Sequence, residues 1–404
     1  MRSAAIAVIA TLFLAACSGS ADEDPSTGST TTTSADATSE GNGDGSSSSS
    51  AAATGADGLP FTVTPVAEFD EPWAMTFLPG TSYAAITERG GRLLIRDMDS
   101  GQTMDVENMP EVVAAGQGGL GDVIPGPTYA DDGTIYLSWV EEIDGGATRA
   151  IVAQCRLEID GDGARLSYRT TIWEQALAVL GDGHFSHRMA IAPDGEHLFI
   201  TSGDRQQMTP AQDLGSGLGA VIRLTLDGGT PDDNPFVEQG YPAEQTWSYG
   251  HRNLLGLAFA PDGTLWESEM GPRGGDEVNV IERGGNYGWP EASNGTHYDG
   301  EDIPDHAEGD GFVAPIASWD PSISPGSLMV YSGDLFRAWQ GDAFVGALSG
   351  QALIRVDVDG TSGTVGDEWP MGQRIREVEQ GPDGSIWLLE DGEGGRLLQL
   401  TPPA

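Results

Sequence analysis

The feature that most restricts the fold of this chain is a unit met five times. It consists of an apolar pair, a tight turn carrying Pro-Gly or Asp-Gly, and a β-rich run. The copies read TFLPGTSYAAITERG, TYADDGTIYLSWVE, AIAPDGEHLFITSGD, AFAPDGTLWESEMG and EQGPDGSIWLLEDG. Such turns between β-prone runs form hairpins. The turn glycines, Gly80, Gly133, Gly195, Gly263 and Gly384, are separated by 53, 62, 68 and 121 residues. The last step is close to twice the others, and WQGDAFVGALSGQALIRVDVDG at 339–360 fits the gap as a degenerate copy. Units of this size and spacing predict an all-β fold, a six-bladed β-propeller of four-stranded antiparallel sheets. No amphipathic run of helical period is long enough to support alternating strands and helices. Two strand-like segments, PFTVTPV at 60–66 and RLLQLT at 396–401, are expected to share one blade and close the ring.

The propeller is expected to occupy residues 58–404 of the 404. Met1-Arg2 and the apolar run Ala4–Ala16 are too short to span a bilayer and read as a secretory leader. The run ends in Leu14-Ala15-Ala16-Cys17-Ser18, which looks like a lipobox, so residues 1–17 are expected to be a lipoprotein signal with Cys17 as the lipidated residue. Residues 18–57 are Ser, Thr, Gly, Ala and Asp with almost nothing apolar, the composition of a disordered tether. The expected location is extracytoplasmic, with the membrane reached only through the lipid. Cys155 is then alone and reads as a small core residue.

The formal net charge is −43, and all 19 basic residues are Arg. A nucleic-acid partner is excluded on this ground, because the phosphate backbone would be repelled. Most of the carboxylates read as a solubilising surface.

A propeller displays its chemistry in loops at one mouth of its channel, so polar clusters beside the repeated strands should converge. The Gly-rich loop Gly116–Asp122 and the run Gly181-Asp182-Gly183-His184-Phe185-Ser186-His187-Arg188 precede the second and third repeats. The latter offers a histidine base tuned by neighbouring charge. Ser202–Gln207 leaves the third repeat. Around the fourth lie Arg252-Asn253, Gly271-Pro272 and Asp276-Glu277, a density of oxygen donors that suits Ca²⁺, the alternative being a solvated acidic face. Arg374 and Arg376, two residues apart, share one strand face and call for an anion or carboxylate between them. The residues alone point to a cation-dependent oxidoreductase or hydrolase.

In order along the chain, GQGGLGDV, GHFSHRMAIAPDG, TSGDRQQMTPAQDL, TPDDNPF, WSYGHRN, EMGPRGGDEVN, GGNYGWP and QRIREVEQGPDG resemble the glucose/sorbosone dehydrogenase family. The nearest branch is the soluble aldose sugar dehydrogenases that use pyrroloquinoline quinone (PQQ). This resemblance implies a PQQ- and Ca²⁺-dependent oxidation of aldose sugars at the anomeric carbon to lactones, with an unidentified electron acceptor. It implies His184 as the base, with Arg252 beside it in the catalytic set. Gln117, Arg252, Asn253, Tyr298, Arg374 and Arg376, with the loop Ala347-Leu348-Ser349, match positions that contact PQQ. The carbonyls of Gly271 and Pro272 match ligands of one calcium, and Glu277 and Tyr287 match a further calcium site.

The chain departs from the family pattern at several points. Ser349 stands where relatives carry a cofactor-contacting Lys, GHRNLLG replaces GHRNPQG, Met270 replaces His in EHGP, and His187 replaces Ser. Two rival functions remain: a calcium-dependent propeller lactonase, which would need a carboxylate cage at the channel centre, and a binding propeller without catalysis.

Overall fold

The computed structural model describes residues 58–403. The expected leader with Cys17 and the expected tether at 18–57 lie outside the described residues. The described chain is nearly all β, with a single α-helical turn at Tyr129–Asp132 and a few 3-10 turns. The five repeat glycines all adopt left-handed backbone, with φ of 77, 72, 69, 91 and 82° from Gly80 to Gly384. This is the conformation the turn sequence anticipates, and it is costly for a residue with a Cβ.

The hairpins assemble into propeller-like sheets of four antiparallel strands. One sheet runs Ser186–Ile191, His197–Ser202, Ala220–Thr225 and Thr246–Tyr249, and the next Leu254–Phe259, Leu265–Glu269, Asp276–Val280 and Ala317–Trp319. The degenerate copy contributes Ala343–Ala347 and Ala352–Asp359 to a sheet that starts at Pro325–Val330 and ends at Ser362–Pro370. The first eight strands of the chain after Asp70 form one continuous sheet. Its two antiparallel halves, starting at Pro72–Phe77 and Leu120–Pro125, are joined only by a short parallel pairing of Val106 with Ala164 and Glu107 with Arg165. Besides a two-stranded ribbon of Arg273–Gly274 with Gly295–Thr296, the remaining four-stranded sheet joins both ends of the domain. Thr62–Asp70 pairs with Glu393–Thr401 from Thr62 opposite Thr401 to Asp70 opposite Glu393, beside Ile375–Gln380 and Ile386–Glu390.

Neighbouring sheets pack face to face, and each junction has its own apolar cluster. Leu93, Leu137 and Ile151 fill one, Tyr136, Ile200 and Ile222 the next, and Phe199, Val221 and Leu265 the third. Met75, Ile86, Leu389 and Leu397 fill the junction between the terminal sheet and the first. Fully burying such side chains stabilises by about 1.5–3 kcal/mol each. Cys155 belongs to this interior, and burial pushes its thiol up to about 12. The strands that open successive sheets lie side by side, and Ile375–Gln380 returns against Pro72–Phe77. That arrangement brings loops distant in sequence to a common mouth.

Candidate active site

Ser186–Ile191 and His197–Ser202 are antiparallel neighbours with Ser186 opposite Ser202, so the loop entering the first and the loop leaving the second emerge together. His184 from one and Asp204 from the other meet there, Nδ1 to Oδ1 at 2.7 Å. Asp204 is fully buried and also accepts from Trp289 Nε1 at 2.8 Å and the Gln206 amide at 2.8 Å. Gly203 is required here, because a Cβ would sit 2.0 Å from the His184 carbonyl oxygen. The backbone is left-handed at His184, Ser186, His187, Arg205, Gln206 and Met208, a concentration of strain that only surrounding bonds can hold. Arg205 supplies many of them. Its guanidinium donates to the carbonyls of Gly183 at 2.9 Å, Thr148 at 2.7 Å and Gly181 at 2.7 Å, and lies 3.7 Å above the Phe185 ring. Burial brings Arg205 down to about 10.

Burial is the main influence on His184 and holds its pKa below the ordinary histidine value, against the opposing pull of Asp204; Arg252 and Arg205 lower it further. The ring is therefore neutral near pH 7. Its Nδ1–H donates to Asp204, and Nε2, which makes no hydrogen bond among the described residues, is left as an acceptor.

A cavity of about 320 Å³ lies beside the loop that carries His184: Phe185 and Ser186 line it, whereas His184 and Asp204 themselves do not. Gln117, Asn253, Leu348, Arg374 and Arg376 all line it, with Phe185, Ser186, Arg89, Glu71 and Asp391. Gln117 ties it to the base, since its side-chain oxygen accepts the His184 amide at 2.7 Å. Arg374 and Arg376 share Asp391, at 2.7 and 2.8 Å, so the carboxylate that two adjacent guanidiniums require is already present. Arg89 pairs with Glu71 at 2.7 Å. Three arginines against two acids leave the wall with one surplus positive charge in a strongly acidic protein.

Arg252 immediately precedes the cavity-lining Asn253 but borders a small void at the Gly-Pro turn instead. It donates to the carbonyls of Met270 at 2.9 Å and Gly271 at 2.5 Å and to the Tyr298 hydroxyl at 3.2 Å. Its Nε is buried without a partner among the described residues. The Gly271 carbonyl is thus already engaged, whereas that of Pro272 accepts no hydrogen bond among the described residues. Asn253 accepts from Ser186 Oγ at 3.2 Å, which joins the two strands that carry the site.

The remaining sequence candidates separate. Ala347 is fully buried at a strand end, and Ser349 turns away to donate to Ser324 Oγ at 2.8 Å, so neither lines the cavity that Leu348 does. Tyr298 is largely exposed, and among the described residues its hydroxyl bonds only Arg252. Asp276 and Glu277 are buried, which removes the reading of a solvated face. Glu277, Glu269, Tyr287 and Ser293 border a void of about 10 Å³, room for about one water-sized particle. The Tyr287 hydroxyl is saturated, donating to the Val280 carbonyl at 2.6 Å and accepting the Glu282 amide at 2.7 Å, so only its backbone oxygen could ligate a cation.

His187 and Arg188, grouped with His184 by sequence, belong to the interior instead. His187 bonds Ser138, stacks on Trp73 and is held down to about 3 by burial. Arg188 lies 4.0 Å over Trp73 and pairs with Glu377 and, at 3.6 Å, Asp122. Sequence reasoning gave no role to Asp204 or Arg205, although both lie in the loop it singled out. Nothing in the sequence pointed to Asp391 or Arg89.

The glucose/sorbosone dehydrogenase family profile matches residues 69–399. The aldose sugar dehydrogenase of Escherichia coli is 38% identical over 341 residues, 83% of this chain and 91% of that protein. The apo crystal structure of the soluble aldose sugar dehydrogenase from Escherichia coli superposes with a TM-score of 0.80 at 37% identity, covering 85% of this chain and 99% of that one. The PQQ-bound aldose sugar dehydrogenase of Streptomyces coelicolor gives a TM-score of 0.70 at 26% identity, covering 84% and 98%. On sequence and fold together, this chain belongs to the glucose/sorbosone dehydrogenase family of oxidoreductases.

Proposed function

We propose that the protein is a PQQ- and Ca²⁺-dependent aldose dehydrogenase that oxidises the anomeric carbon to a lactone, with His184 as general base. The observation that carries this reading is a neutral, carboxylate-anchored histidine beside an arginine-walled cavity. PQQ is a tricarboxylate, and the surplus positive charge from Arg89, Arg374 and Arg376 suits it. The PQQ-bound form of the Streptomyces coelicolor relative supports the same cofactor. Calcium fits two places: the Pro272 carbonyl beside Gly271, where Arg252 would have to share its acceptor, and the one-ion void at Glu277 and the Tyr287 backbone.

The residues act as follows. His184 Nε2 accepts the proton of the C1 hydroxyl, and the Asp204 carboxylate stabilises the imidazolium that forms. Asp204 keeps the imidazole in the productive tautomer, with Trp289 and the Gln206 amide fixing the carboxylate in turn. Bound PQQ would supply the acceptor for the hydride leaving C1, and calcium the Lewis acid. Asn253 lines the same cavity, and Arg252 next to it holds the Met270 and Gly271 carbonyls. The lactonase alternative is disfavoured because Asp122 and Glu377 on the channel face the Arg188 guanidinium rather than one another around a metal.

We take the sheets to number six, reading the eight-stranded one as two blades divided at its short parallel pairing. The same proposal places the domain outside the cytoplasm on a lipid at Cys17, with residues 18–57 as tether. Reconstitution of the apoprotein with PQQ and Ca²⁺, followed by dye reduction with a panel of aldoses, tests the function. Turnover that needs both additions supports it; no turnover and no change in quinone absorbance rejects it.

A further inference from the structure

Register on the fourth repeat's sheet builds a second polar centre behind the site. Glu267 pairs across strands with Asn279 and Glu269 with Glu277, and residues two apart share a face, so all four side chains converge. His251 closes the group, with Nδ1 3.1 Å from Glu269 Oε1. His251, Glu267 and Asn279 are fully buried, and Glu269 and Glu277 nearly so.

What sets this centre apart is its missing counter-charge. Buried Glu88, Glu377, Glu390 and Asp342 each pair with an arginine. Among the described residues no arginine side chain reaches Glu267, Glu269 or Glu277; histidine alone does. Three carboxylates without a cation are strongly unfavourable in an interior. Two oxygens are also orphaned: Glu267 Oε1 and Asn279 Oδ1 are sealed from solvent with no hydrogen-bond partner among the described residues. The Asn279 amide sits among the carboxylates, its Nδ2 3.2 Å from Glu267 and 3.4 Å from both Glu269 and Glu277. Turning that amide over would present Oδ1 to a cation at the same spot.

We propose that His251, Glu267, Glu269 and Asn279 form a binding site for a first-row divalent metal ion. One ligand atom from each of His251, Glu267 and Glu269 already lies within 4.8 Å of the others. Donors at about 2.0–2.2 Å from such an ion lie about 3.4 Å apart in a tetrahedron, so a small contraction completes the set. An imidazole among carboxylates selects Zn²⁺ or its neighbours over Ca²⁺, which takes oxygen alone. Ser248 Oγ, 2.9 Å from His251 Nε2, would accept the other ring N–H and fix the tautomer that ligates through Nδ1.

The site is separate from the void at Glu277 and Tyr287, which neither His251 nor Glu267 lines; Glu269 is the shared edge. Its purpose follows from Glu269 Oε2, which accepts the Arg252 amide at 2.5 Å. An ion on Glu269 would brace the strand ends that carry Arg252 and Gly271. The inference rests on these side chains and not on the PQQ reading.

The test uses the purified chain, stripped with a chelator and equilibrated with Zn²⁺ alone under excess Mg²⁺ to occupy surface carboxylates. Elemental analysis after gel filtration should find about one Zn²⁺ per chain in the wild type and in Glu277→Gln, and none in Glu267→Gln. Zn²⁺ should raise the melting temperature of the wild type by several degrees and leave Glu267→Gln unmoved. Should Glu267→Gln fail to fold, the wild type loaded with Co²⁺ decides: an intense visible spectrum of a four-coordinate ion supports the site. No Zn²⁺ uptake by the stripped wild type, undiminished uptake by Glu267→Gln, or a Co²⁺ spectrum like that of the aqueous ion overturns it.

Discussion

The two halves of the candidate site are built in opposite ways. The base half, around His184 and Asp204, is buried, backed by a run of left-handed residues and held by Arg205 through three backbone carbonyls. The anion half, around Arg374, Arg376 and Arg89, is more open and is held by ion pairs to Asp391 and Glu71. A group that must present one lone pair in one direction needs rigid, desolvated support. A group that recruits a charged cofactor needs only to be nearby and positive. Substitutions in the first half should therefore cost rate, and those in the second should cost affinity.

The largest effect is expected for Asp204→Asn, which removes the tautomer lock and the partner of the imidazolium. It should lower kcat about a thousandfold or more while PQQ affinity changes little. The pH profile sharpens this. His184 works when neutral, and its pKa lies below the ordinary value, so the wild-type acid limb should fall below pH 6.5. Asp204 raises that pKa, so its loss should move the limb to still lower pH; an unmoved limb would reduce Asp204 to a packing role.

Next comes Arg376→Ala, in the anion half. A lost charge-assisted bond is worth about 1.5–3 kcal/mol, roughly a 10- to 150-fold weaker PQQ titration, with kcat at saturating cofactor nearly kept. A fall in kcat without loss of affinity would erase the distinction between the halves.

His187→Gln should act on neither. Losing the stack on Trp73 and the bond to Ser138 should destabilise the fold by about 1–3 kcal/mol in chemical denaturation and leave the acid limb in place. The smallest effect is expected for Ser349→Lys. The Ser349 side chain faces Ser322 and Ser324 rather than the cavity, so a lysine on this exposed loop should tighten PQQ by no more than about 1 kcal/mol in the same titration.

The fold was legible because its signal is local. A Pro-Asp-Gly turn fixes a hairpin wherever it stands, and even the copy at 339–360 kept its two strands after losing its turn. The pairing of the first and last strands of the domain was legible from their strand pattern alone. The site was legible only in part, because its logic is not local. Only two residues separate His184 from His187, yet the left-handed backbone between them sends one to Asp204 and the other to Trp73. Asp391 is visible as the partner of both Arg374 and Arg376 only once two loops meet. The Glu267–Asn279 pairing depends on cross-strand register, which alternation within one strand does not reveal.

The most direct test of the account is a single-turnover experiment on His184→Ala. Loaded with PQQ and Ca²⁺ and mixed with an aldose that the wild type oxidises, the variant should bind PQQ within about threefold of wild type. Its quinone absorbance should decay at least about a thousandfold more slowly. An unchanged decay would contradict the assignment of His184 as the base, and with it the division of the site into a chemical half and a binding half.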